Sequence, residues 1–335
     1  MDRFKGTLFE IKKVGKYLTD TDLRQAYTEF KESEEMALRL IVNTILSEGW
    51  MISLSQAKSC PEIAKEFGYT NIPLLENILN LLKEQGILGE QDKKYSIKEL
   101  KATPIRPEDV GTVLTNFYLD SAQFLPDALR GKTVPLDEVP RIVLESVFSS
   151  TLTEKGRGVL LRSFSQKHTK EIGVSAFADV GLAYALKQID DIFKPERIHL
   201  FMQNYRWLTP LTSVLNFLSE KDILSKLTTD LLGRRIDSHL DLFYGEELFA
   251  YSQDTLDERV SIVSSYLNPS GRVITNDPTI PAGERTSSPA YILMQTIDGY
   301  PQPLDRKFIQ TVFEKHDLEI QTIGDNWIIA EKGVA

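Results

Sequence analysis

The chain has 335 residues, enough for about two domains at roughly 100–200 residues each, and its 41% hydrophobic and 26% charged content is that of an ordinary globular protein. A net charge of −9 argues against a general nucleic-acid binder, because Lys and Arg neutralising phosphates supply most of that affinity. The single cysteine, Cys60, permits no internal disulfide, and the four histidines, His168, His199, His239 and His316, lack ligand spacing, so no metal site is expected.

The N-terminal stretch MDRFKGTLFEIKKVG has neither the apolar core nor the small-residue cleavage site of a secretory signal. No apolar run reaches the roughly 20 residues that span a bilayer, so the expectation is a cytoplasmic protein with no membrane partner. Residues 34–50 place Met36, Leu38, Ile41, Val42, Ile45 and Leu46 on a broad helical face. Ser59 can cap a second helix with Pro61 in its first turn and Gly68 at its end, and a third is predicted over 73–85, stopped by Gly86. Short strands around ILGEQ and KYSIK follow, giving the element order of a winged helix. The helix that would enter a DNA groove, NIPLLENILNLLKEQ, has one lysine against two glutamates and no arginine to reach guanine. Its apolar positions Leu74, Leu75, Ile78, Leu79, Leu81 and Leu82 cover more surface than one small core needs, which predicts burial against another subunit or domain.

Residues 102–170 read as a mostly helical connector broken by Gly131 and Pro135. From about 171 onward, short apolar runs alternate with helical stretches, the signature of an α/β domain. Strands are predicted at 197–204, 239–249 and 271–277, helices at 256–267 and in DRKFIQTVFEKHD, and a closing hairpin in LEIQTIGDNWIIAEKG. The plan is therefore a domain over 1–101, a connector over 102–170 and an α/β domain over 171–335.

The turn and strand YLNPSGRVITND (266–277), followed by the last helix and hairpin, carry a resemblance that extends over nearly the whole chain. They resemble the class I S-adenosylmethionine-dependent methyltransferases, in particular the small-molecule O-methyltransferases with an N-terminal winged-helix dimerisation domain. In that family the turn reads L-x-P-G-G; here Ser270 takes the first glycine's place. The resemblance implies a Rossmann-like sheet, S-adenosylmethionine as cofactor, a small-molecule methyl acceptor and a homodimer in which the winged helix packs on its twin.

The same resemblance implies a set of site residues. The family's cofactor loop has the form acid-x-Gly-x-Gly-x-Gly, where glycines allow close backbone approach. Asp179 and Gly181 match, while Ala183 and Ala185 stand where glycines are expected. Asn204 occupies the place of the acid that grips the ribose, and Asp230 that of an acid near the adenine. Tyr244 and Glu246, with Glu247, fall at the end of the fourth strand beside the methyl donor. Where many members carry a histidine as general base, this chain has Phe249 or Ala250. That departure points to an acceptor that is already nucleophilic, or to a base from elsewhere, with His168, Tyr251 and Glu247 as candidates for catalysis.

Two readings of VSAFADVGLAYALKQIDDIF remain open: a strand-end cofactor loop, or one amphipathic helix with an interior glycine. Two functions stand beside them. One is methyl transfer to a small metabolite; the other is a protein of the same fold that has lost methyl transfer and catalyses another reaction or acts by binding. A transcription regulator would need a basic recognition face that the sequence lacks.

Overall fold

A computed structural model describes residues 20–98, 113–135, 156–158, 160–162, 169–176, 182–202, 221–237, 239–246, 248–249, 253–282, 288–298, 303–324 and 327–333. The chain divides into two units: Tyr27–Ser146 with Arg285–Tyr300, and Met1–Ala26 with Val147–Glu284 and Pro301–Ala335.

In the first unit, α1 (Asp20–Ser47) leads through Gly49, at φ 91°, into the short α2 (Trp50–Ser53). After β1 (Lys58–Ser59), α3 (Cys60–Phe67) starts where the sequence pattern places it. The Ser59 backbone N–H and hydroxyl both donate to Glu62 Oε2, at 2.7 and 2.8 Å, which ties the N-cap to the first turn. Gly68 closes the helix at φ 68°, a left-handed conformation that glycine adopts without steric cost. Then α4 (Ile72–Glu84) begins with Asn71 Oδ1 accepting the Leu74 N–H at 3.2 Å. Next, β2 (Leu88–Gln91) and β3 (Lys94–Ile97) pair antiparallel across Asp92 and Lys93. Those two residues sit at φ 51° and 60°, as a two-residue turn matching strand twist requires. β1 joins the other edge of β3, so the small sheet has the order β1-β3-β2.

The six apolar residues of α4 are all buried within this unit. They are covered by α5 (Val113–Leu129) and by the helix Pro289–Met294, both of which pack on α4. The excess apolar face that the sequence assigns to another subunit or domain is thus absorbed by a returning segment of the same chain, and it supplies no argument for a partner. Beside it, Trp50 Nε1 donates to Tyr69 Oη at 3.0 Å, and Arg130 pairs with Glu48 while its guanidinium lies 5.5 Å from the Tyr69 ring centroid.

The second unit is built on a seven-stranded sheet. Its elements in order are β4 (Glu171–Ala176), α6 (Leu182–Phe193), β5 (Arg197–Met202), α7 (Lys221–Lys226), β6 (Leu227–Leu231), β7 (Leu240–Glu246), α8 (Gln253–Tyr266), β8 (Leu267–Asn276), α9 (Arg306–Lys315), β9 (Leu318–Ile323) and β10 (Ile328–Lys332). The spatial order is β9-β10-β8-β7-β4-β5-β6. β4, β5, β6, β7 and β8 run parallel, and β10 is antiparallel to both its neighbours.

Alternation along the strands divides the core between two faces. Ile172, Val174, Leu242 and Tyr244 lie with Leu182, Ala185, Leu186 and Ile189 of α6 on one face. Phe243 lies with Val260 and Val263 of α8 and Ile309 and Phe313 of α9 on the other. On that second face Phe201, Phe243 and Tyr266 stack, with 4.6 Å between the Phe201 and Tyr266 centroids. Gly173 leaves room for them: a Cβ there would lie 2.5 Å from Leu240 Cδ1 and 2.8 Å from Phe243 Cδ2.

The predicted turn NPSG is a bulge inside β8, which starts at Leu267 and shifts register against β7 between Leu240 and Leu242. A Cβ on Gly271 would meet the backbone oxygens of Asn268 and Leu240 at 2.9 Å, so glycine is required there. Ser270 sits at φ 62°, in the left-handed region that costs an L-residue with a side chain about 1–2 kcal/mol. Ser270→Gly should therefore stabilise the fold by about 0.5–1 kcal/mol after the added freedom of the unfolded chain is counted, read as a higher denaturation midpoint at unchanged slope.

Glu34 of α1 accepts hydrogen bonds from Ser288 Oγ at 2.8 Å and from the Ala290 backbone N–H. Burial pushes its carboxyl up from an ordinary 4.5 to about 7, against the opposing pull of those bonds. The folded chain then holds an extra proton between those values, so stability should fall as pH rises from about 4.5 to about 7 and stay lower above it. Glu34→Gln should flatten that slope in thermal unfolding midpoints collected across the same window.

Candidate active site

The chain leaves β4 by way of α6 toward β5, and leaves β7 by way of α8 toward β8 on the opposite side. Strand order therefore reverses between β4 and β7, and open α/β sheets bind ligands in the crevice that such a reversal leaves at the carboxyl ends of the strands. Ala176, the last residue of β4, pairs in register with Glu246, the last residue of β7, which also pairs with Asn276 of β8.

Glu246 is almost fully buried at that edge. Arg157, itself buried, donates through Nε to Glu246 Oε1, and Tyr244 Oη donates to the same oxygen at 2.9 Å. Arg157 also reaches Gln188 Oε1 of α6 at 3.3 Å. Glu246 Oε2 has no hydrogen-bond partner among the described residues. Burial works against the charge on Arg157, but Glu246 and Tyr244 together outweigh it and hold its pKa above the usual value. Burial, reinforced by the Glu246 carboxylate, pushes the Tyr244 hydroxyl well above the usual phenol range, so it stays a donor. The result is a buried ion pair at the carboxyl edge of the sheet.

A second acid braces the segment after β7. Asp277, just past β8, is buried and accepts the Phe249 N–H through Oδ1 at 2.8 Å and the Thr275 hydroxyl through Oδ2. It anchors the backbone that leaves the crevice. Gly245 helps in the same place, since a Cβ on it would touch Leu248 Cβ at 3.0 Å.

The question posed by VSAFADVGLAYALKQIDDIF resolves into a strand and a helix. Val174, Ser175 and Ala176 are in β4 and Leu182–Phe193 is α6, so one continuous helix is excluded. Ala183 and Ala185 stand in the first turns of α6. Helical backbone favours alanine over glycine, and Ala185 is packed in the core. Asp230 lies near the C-terminal end of β6, opposite Phe201, with Oδ1 accepting the Leu231 N–H at 3.0 Å and facing Arg234 at 3.7 Å. It is a strand residue. Tyr244 and Glu246 come together. His168, Asp179, Gly181, Asn204, Glu247 and Tyr251 lie outside the described residues.

Arg157 and Gln188 were not singled out from the sequence. The available signal was an arginine between two glycines in GRGVLLRSF, ahead of an apolar pair that enters the core, Leu160 and Leu161. Among the described residues no group of three or more His, Cys, Asp or Glu could hold a metal ion, and no helix is long and apolar enough to cross a membrane.

No protein-family model matches the chain, and no curated protein matches it by sequence. Solved structures do match. The CurJ carbon methyltransferase aligns with TM-score 0.62 at 15% identity, covering 99% of this chain and 98% of its own. The DszA carbon methyltransferase follows at 0.60 and 13%, covering 95% and 94%. An O-methyltransferase family 2 protein from Planctomyces limnophilus, solved with apigenin, gives 0.57 at 11%, covering 94% and 96%. The chain has the Rossmann-like fold of these O- and carbon methyltransferases, with a helical N-terminal unit.

Removing Arg157 strands a buried carboxylate, a change that typically costs about 3–5 kcal/mol. Arg157→Met should lower stability by that order, and adding Glu246→Gln should recover most of it, both read from denaturant unfolding.

Proposed function

We propose that this protein transfers a methyl group from S-adenosylmethionine to a small molecule. The observation that carries the reading is the parallel sheet whose order reverses between β4 and β7, with a polar cluster built at that edge. The succession of β4 and α6 supports a nucleotide-like cofactor, since helices that follow a parallel strand in such sheets commonly receive anionic or nucleotide groups at their N-termini. Asp179 and Gly181 would hold the cofactor between those elements, Asn204 would hydrogen-bond the ribose hydroxyls, and Asp230 would stand near the adenine.

When bound, the cofactor supplies an electrophilic methyl group on a sulfonium. The protein's part is to align the acceptor for in-line attack and to exclude water. Leu248 and Phe249 are packed in the core, with the Phe249 N–H held by Asp277, which fixes the segment that follows β7. A histidine base is missing from the matching segment, which favours an acceptor that is already nucleophilic or a proton acceptor supplied by His168, Tyr251 or Glu247. The first unit, a winged helix in this reading, would mediate homodimerisation, and the enzyme would work in the cytoplasm.

Calorimetric titration of the full chain should give micromolar affinity for S-adenosylmethionine and tighter binding of S-adenosylhomocysteine. No heat with either compound at millimolar concentration would end the proposal. Gly181→Val should abolish binding while the unfolding midpoint stays unchanged; an unaltered affinity would move the cofactor elsewhere.

A further inference from the structure

Away from the crevice, three neighbouring parallel strands carry a row of polar side chains. Glu171 opens β4, His199 is the third residue of β5 and Thr228 the second of β6. Gly173, His199 and Thr228 are register partners, and Glu171 lies two residues before Gly173, so the polar side chains share one face of the sheet. It is the face of Phe201, whose ring stacks on the His199 imidazole with centroids 6.3 Å apart. The row sits toward the amino ends of the strands, at the far end from Ala176 and Glu246.

Its hydrogen bonds have a direction. His199 Nε2 lies 2.7 Å from Glu171 Oε2, and Nδ1 lies 3.1 Å from Thr228 Oγ1. A carboxylate only accepts, so in the neutral imidazole Nε2 carries the proton and Nδ1 presents a lone pair. The Thr228 hydroxyl then donates to that nitrogen; the Ile198 carbonyl, 3.4 Å from the same hydroxyl, is the more distant acceptor. Carboxylate, imidazole and hydroxyl in this order make an alcohol nucleophilic, because the ring takes the proton as the oxygen attacks and the carboxylate holds the ring in its tautomer. Thr228 is exposed on the edge strand of the sheet, within reach of a reagent, while the His199 side chain is only 12% exposed.

We propose that Thr228 is an acyl-accepting nucleophile, with His199 as its general base and Glu171 as the positioning residue, and that its substrates are carboxylic esters or thioesters with a good leaving group. Thr228 Oγ1 attacks the carbonyl carbon, a C–O bond forms, and the bond from that carbon to the leaving oxygen or sulfur breaks. The hydroxyl proton passes to His199 Nδ1 and from there to the leaving group. The products are a threonine ester and a free alcohol or thiol. This activity is independent of methyl transfer.

Thr229 supplies an internal reference. It is exposed too, but one residue further along the strand it points to the opposite face, in the row of Leu200. Trypsin releases both threonines in the peptide 227–234, LTTDLLGR, which has no lysine, serine, cysteine, tyrosine or histidine to compete for label. The full chain is treated with p-nitrophenyl acetate, and the acetyl ester is located by tandem mass spectrometry. Thr228 should be acetylated about a hundredfold faster than Thr229, the low end of what a positioned general base contributes. His199→Gln should make the two rates alike. Glu171→Gln should give an intermediate ratio, since an amide can also donate to Nε2 and release the tautomer. Thr228→Ser should keep the preference for position 228.

A purely structural role for the row would leave the two threonines reacting alike in the wild type. That result, no ester at Thr228 under conditions that acetylate surface lysines, or a wild-type ratio retained in His199→Gln would overturn the proposal. Should His199→Gln fail to fold, the wild-type ratio and Glu171→Gln still decide it.

Discussion

The parallel pairing of β4 with β7 is the constraint on which the second unit depends. It places Ala176 beside Glu246 at one edge and sends the two chain continuations to opposite sides. Because both strands are covered on both faces, by α6 on one and by α8 and α9 on the other, their side chains are committed to packing along most of their length. The carboxyl edge is left for chemistry. There a buried ion pair replaces apolar contact, a choice with a desolvation cost that packing alone would not make.

The first unit shows the same economy in another form. Helix α4 carries leucine and isoleucine around much of its circumference, and a free-standing helix–helix–hairpin module would leave part of that surface wet. The chain returns after the α/β sheet's fifth parallel strand to lay Pro289–Met294 against it, together with α5. Surface excess in one segment is answered by a segment about two hundred residues away, and the polar contacts of Glu34 with Ser288 and Ala290 fix where that return docks. The arrangement makes the stability of this unit depend on a stretch that belongs, in sequence, to the other one.

Much of the fold is legible locally. The Ser59–Glu62 cap, the glycine stops at 68 and 86, the Asp92–Lys93 turn and the closing hairpin all follow from residues within a few positions of one another. Of the runs predicted at 197–204 and 239–249, the described parts include the strands Arg197–Met202 and Leu240–Glu246. The NPSG stretch reads as a turn from its residue types, yet it is a bulge, since its register against β7 is a property of two strands. Leu227–Leu231 escaped notice as a strand because its exposed threonines blur the apolar pattern of an edge.

The sequence by itself determined the α/β alternation and the helix caps, because each depends on near neighbours or on residue type alone. Tertiary structure decided that Ala183 and Ala185 are helical, that α4 is covered from within the chain, and that Arg157 meets Glu246 across 89 residues. Those outcomes depend on which distant surfaces the sheet brings together, and no spacing along the chain encodes a distance in space.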